Sequence, residues 1–170
     1  MTSKIIVAAI IGVALTLVTT GSAFAASGWQ HVVSSSVTSN NDQTTRLSVT
    51  ASDVIPRHTS VLGGFAWLYA GGPNTAFVAV THSGVRDSLQ NPDGWHAHNV
   101  QLAFNASPNT AACITGLSDA NAGLSIQGNT LNVNVRNSEL TGTFAPGEAT
   151  AFTIVPDQGC VVTGLGVNLS

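Results

Sequence analysis

The chain has 170 residues, 44% of them hydrophobic and only 8% charged, with a formal net charge of −3. Five Lys and Arg side chains in all cannot form the clustered cations that a phosphate backbone attracts, which argues against nucleic-acid binding. The only lysine is Lys4, so a P-loop lysine, a Schiff-base lysine in the body of the chain and an S-x-x-K nucleophile are absent.

Residues 1–25 carry the three parts of a secretory leader: Lys4, an apolar run over residues 5–18, and Ala23-Phe24-Ala25 as a small-x-small cleavage pattern. The run is shorter than the ~20 residues that cross a bilayer, and no later stretch is long and apolar enough to do so. The expectation is an exported protein, extracellular or at the cell surface. Residues 26–170 then form one domain with four arginines against eight carboxylates, a net charge of −4. Cys113 and Cys160 are the only cysteines. In an exported chain they are expected to pair as a disulfide, because no C-x-x-C spacing favours two thiolate metal ligands instead.

From residue 26 the chain reads as a succession of short strands. Residues 26–45 suggest a first strand and an exposed loop, and residues 46–51 alternate Leu47 and Val49 with polar neighbours, as a half-buried strand does. Residues 61–69 are apolar on both parities, which suits a central strand covered on two faces. Residues 76–82 put Val78, Val80 and His82 on one face. After a long connection, residues 92–104 put His96, His98, Val100, Leu102 and Phe104 on one face. Further strands are read at residues 111–117, 124–127, 130–136, 140–144, 150–155 and 160–169, with Gly128-Asn129 as a tight hairpin turn and a helical turn suggested at residues 118–121. The expected fold is all-β: a single-domain antiparallel β-sandwich of about nine strands, with a jelly roll or small barrel as runner-up.

The candidate site is the histidine-bearing face. If the strands around His82 and His96 pair as an antiparallel hairpin, His82 leaves one where His96 enters the other, and the imidazoles of His82, His96 and His98 meet. Same-face H-x-H pairs can chelate one ion, and imidazole suits Zn²⁺ or Cu²⁺. Asp87 or Asp93 from the connecting loop would complete the set or orient a ring. The bland alternative is a trio of neutral imidazoles bonded to carbonyls or loop carboxylates. Blue-copper chemistry fails, since it needs a free thiolate and usually an axial Met. His31 and His58 are expected at the surface.

Gly94-Trp95-His96-Ala97-His98 resembles the Gly-aromatic-His-x-His signature of copper/zinc superoxide dismutases, which are β-sandwiches with one intradomain disulfide. That resemblance implies a metalloenzyme. It covers five residues, and no histidine follows His98 to supply the family's downstream ligands.

No G-x-S-x-G motif or other catalytic constellation is present, so action by binding is expected rather than catalysis. A structural cell-surface or fibre-forming subunit is the alternative. It would use the terminal strand as an edge for self-association. Asn105-Ala106-Ser107 and Asn168-Leu169-Ser170 match the glycosylation acceptor pattern. Trp29, Trp67 and Trp95 would suit sugar stacking only if exposed.

Overall fold

The computed structural model describes residues 28–71, 74–82 and 94–170. The leader pattern, residues 72–73 and the segment carrying Asp87 and Asp93 lie outside them. The described residues form ten antiparallel strands: β1 (Val32–Asn41), β2 (Thr44–Ala51), β3 (Gly63–Leu68), β4 (Thr75–Thr81), β5 (Trp95–Phe104), β6 (Ala112–Ala120), β7 (Ala122–Gln127), β8 (Thr130–Arg136), β9 (Thr150–Pro156) and β10 (Leu165–Leu169). No helix among the described residues is long and apolar enough to cross a membrane.

The strands form two sheets. One is four-stranded in the order β1-β2-β8-β7, and the other closes into a six-stranded barrel, β10-β6-β5-β4-β3-β9. The runner-up architecture, a small barrel, therefore accounts for six strands, and the nine-strand sandwich is corrected to a barrel with a four-stranded sheet packed on its wall. Three local expectations are corrected too. Residues 118–121 extend β6 through Ala120 instead of forming a helical turn, and residues 140–144 contribute only an isolated bridge, Phe144 to Tyr69. The last strand starts at Leu165, because Asp157 to Gly164 fold into turns.

Alternation puts two cores on opposite faces of the same strands. On β4, Phe77 and Ala79 face the four-stranded sheet, while Ala76, Val78 and Val80 face the barrel interior. Leu47, Val49, Leu131 and Val133 of the small sheet meet Phe65, Trp67, Phe77 and Trp95 on the barrel wall. Trp29, Phe65 and Trp95 form an aromatic knot with ring centroids 5.8 to 6.1 Å apart, and Trp95 Nε1 donates to the Pro56 carbonyl at 2.9 Å. All three tryptophans are buried, which removes them as sugar platforms.

Closure places two demands on the backbone. Gly64 sits where any Cβ would collide with the Ala79 carbonyl of β4, so only glycine permits the β3–β4 approach. On β6 the register slips between Gln101–Gly116 and Leu102–Ile114, leaving Thr115 as an extra residue. That bulge lets Ile114 and Leu117, three positions apart, both turn inward. The final seam is short: β10 meets β6 through Gly166–Cys113 and Val167–Ala112, against five pairs with β9. The expected disulfide, Cys113–Cys160, is present. It ties the 157–164 turn to the outer side of that seam, since Ala112 and Ile114 on either side of Cys113 point inward.

Because β10 pairs on both sides, it offers no edge. Among the described residues the free sheet edges are β1 and β7, which corrects the expected route to self-association.

Candidate functional site

A cavity of about 490 Å³ occupies the barrel interior, with wall residues from all six strands, including Val78, Val100, Ile114, Phe152, Ile154 and Val167. The volume falls in the usual range for small-molecule sites. Among the described residues almost the whole wall is aliphatic or aromatic, with His82, His98, Thr150 and Thr163 as the polar exceptions. Long aliphatic runs on both parities hid this space in the sequence, because a strand covered on two faces reads alike whether its second face meets a solid layer or a void.

Strands β3, β5 and β10 run in one direction, so their final residues, Leu68, Phe104 and Leu169, lie at one end. Leu68 and Leu169 are 40% and 53% exposed there. The histidines lie at the other end, where β4 stops and β5 begins. The register Val80–His96 and Thr81–Trp95 sets His82 immediately beyond the ladder, beside His96.

The structure thus brings His82, His96 and His98 together. Ring centroids are 4.4 Å apart for His82 and His96 and 4.7 Å for His96 and His98, both pairs edge-to-face. His96 is 1% exposed, and its Nδ1 lies 2.9 Å from the Gly94 carbonyl. A carbonyl only accepts, so this nitrogen carries the proton. In the neutral ring Nε2 is then an acceptor, and His82 Nε2–H donates to it across 2.9 Å. His98, 6% exposed, places Nδ1 3.2 Å from Asp119 Oδ1 on the neighbouring strand.

Among the described residues, no group of three or more His, Cys, Asp or Glu side chains is arranged to hold a metal ion. The rings adjoin edge to face, and His98 Nδ1 lies 3.2 Å from Asp119 Oδ1. Asp87 and Asp93, the expected fourth ligands, lie outside the described residues. His31 and His58 are exposed, as expected. Asn105 is also exposed and has a φ of 57°, while Ser107 of the same acceptor pattern is buried, with its hydroxyl accepting from Asn109 N at 3.2 Å.

A second polar cluster supports the seam from outside. Asp157 accepts from the Thr110 hydroxyl and the Gly159 amide, each at 2.8 Å. The Ser107 hydroxyl and then these donors lower its carboxyl pKa to about 2. Between the two sheets, Tyr69 donates its hydroxyl to Asn99 Oδ1 at 2.6 Å, and burial raises the pKa of that phenol.

No family model, curated protein or solved structure matches this chain.

Proposed function

We propose that this chain is an exported, disulfide-closed binding protein whose barrel encloses an apolar small molecule. The carrying observation is the 490 Å³ interior space with its nearly continuous aliphatic wall. At roughly 30 Å³ for each water-sized group, it accommodates about 16 non-hydrogen atoms, and burying them supplies the driving force. Export is supported by the leader pattern over residues 1–25 and by a disulfide, which persists in oxidising compartments. The absence of a recognisable catalytic motif fits binding rather than turnover. The test is calorimetric titration with dodecanol. Saturable binding near one molecule per chain, with a negative heat-capacity change, is expected; no saturable heat refutes the reading.

A second reading, Zn²⁺ or Cu²⁺ bound by His82, His96 and His98, has one specific observation in its favour. His96 Nδ1 meets a backbone carbonyl and His98 Nδ1 meets a carboxylate, the partners that commonly orient metal-binding imidazoles. Protein purified without a histidine tag, incubated with either ion and desalted, should retain close to one ion per chain. His96→Ala should abolish retention and His31→Ala should not; retention well below one ion, or equal effects of both substitutions, rejects this reading.

A further inference from the structure

We propose that two copies of this chain associate through β1, the two strands pairing antiparallel about Val37, so that their four-stranded sheets join into one continuous sheet. The association does not depend on what the barrel holds.

The two sheet edges are not equivalent. On β7 the Arg57 guanidinium donates to the Ile126 carbonyl at 3.2 Å, and the Glu139 carboxylate accepts from the amide of Asn121, just before the strand, at 3.1 Å. Charged side chains placed over an edge defend it against strand addition. On β1 the composition is the reverse: Val32–Asn41 contains no charged residue and no proline, and eight of its ten positions are exposed. Bulges flank residues 34–39, and between them the ladder to β2 is regular.

The direction of the β1 main chain follows from its neighbours. Ser52 N donates to the His31 carbonyl and Ala51 N to the Asn129 carbonyl, each at 2.8 Å, so the even-numbered residues of β2 bond toward β1 and the odd-numbered ones toward β8. Ser34, Ser36 and Thr38 are opposite Thr50, Ser48 and Arg46 and bond to β2, which leaves Ser35, Val37 and Ser39 with their N–H and C=O groups directed outward. Val37 shares a sheet face with its buried partner Leu47. On that face a groove of about 1010 Å³ runs beside Ser35, Val37 and Ser39, bounded across from β1 by residues 140–147. A further strand therefore finds main-chain partners at the edge and room for every second side chain.

A second copy is the occupant that charge favours. A net charge of −3 opposes self-association, and β1 is a place where two copies meet without bringing charges together. A two-fold axis at Val37 sets Val37 against Val37 and Ser35 against Ser39. These are the outward-bonding residues of both strands, so each pair exchanges both main-chain bonds. Val37, 41% exposed in a single copy, is then covered by its counterpart. The joint is short, which makes the association reversible and concentration-dependent.

Sedimentation velocity over a range of protein concentrations tests this. Wild-type protein should pass from monomer to dimer as concentration rises and go no further, because a two-fold joint uses both β1 edges. Val37→Lys and Val37→Glu, each alone, should weaken the dimer about a hundredfold, since like charges meet at the axis. An equimolar mixture of the two should restore it, because only a joint with Val37 opposite itself turns two like charges into an opposite pair. Val37→Pro, which removes one outward donor and leaves the β2 ladder intact, should weaken the dimer as well, whereas Ser125→Lys on β7 should not. The far-UV spectrum of every variant should match that of the wild type, since both positions are exposed in the monomer. A wild type that is monomeric at all concentrations or grows beyond a dimer, a dimer that tolerates these Val37 substitutions, or a mixture no stronger than its components overturns the proposal.

Discussion

Enlarging a side chain should have opposite effects on the two faces of the barrel wall, and the sign is the informative quantity. Ala112 on β6 lines the cavity, whereas Ala79 on β4 is enclosed between the barrel and the four-stranded sheet with no exposure. Leucine adds three carbons at either site. At ~0.8 kcal/mol for each buried carbon, Ala112→Leu could stabilise by as much as about 2 kcal/mol, because the added atoms enter empty space. Ala79→Leu must displace packed neighbours and should cost about 1 to 3 kcal/mol. Guanidinium unfolding with the disulfide intact measures both as midpoint shifts at constant slope. Ala112→Leu should raise the midpoint or leave it unchanged while weakening dodecanol binding. Ala79→Leu should lower the midpoint while the folded fraction binds normally. Equal destabilisation by the two substitutions would refute the reasoning, since it would mean that the interior is already filled.

Replacing Cys113 and Cys160 together by Ser should cost about 4 kcal/mol in the chain-entropy account of a 47-residue separation, read as a midpoint shift; a loss below about 1 kcal/mol would show that the two-pair seam closes unaided. Gly64→Ala should destabilise by about 3 kcal/mol through the clash with the Ala79 carbonyl, and an unchanged unfolding midpoint would contradict the stated β3–β4 approach. The folded-state pKa of Asp157, about 2, lies below the ordinary carboxylate value of 3.8. Its stabilising contribution is therefore present above about pH 4 and is lost as pH falls toward 2. Asp157→Asn should flatten that part of the stability–pH curve, and an unaltered acid limb would sink the assignment. Tyr69→Phe removes the hydroxyl donated to Asn99 and should lower stability by about 1 to 2 kcal/mol; no measurable loss would count against that bond.

Features governed by local or near-neighbour physics were legible in the amino-acid order. Period-two alternation marks Leu131, Val133 and Val135 as inward-facing, and all three are buried. Gly128 takes a φ of 61°, as a two-residue hairpin turn needs. The meeting of His82 with His96 follows from the same reasoning, since antiparallel pairing across one connection sets which residues are level. The same alternation puts Asn132 on the outward parity, yet it is buried, with Arg46 Nη2 and Ser48 Oγ both donating to its side-chain oxygen from the neighbouring strand. That neighbour is 86 positions away for Arg46, beyond any local pattern.

Closure of the barrel was the part that only tertiary structure decided. It depends on β3 pairing with β9 and β10 pairing with β6, contacts between strands far apart in the chain. Alternation states which side chains share a face, but not which distant strand lies alongside, nor whether the second apolar face meets a packed layer or encloses a space. Composition and spacing therefore determined most of the strands, the disulfide partners and the histidine cluster, and long-range pairing turned the remaining apolar faces into a cavity with those histidines at one end.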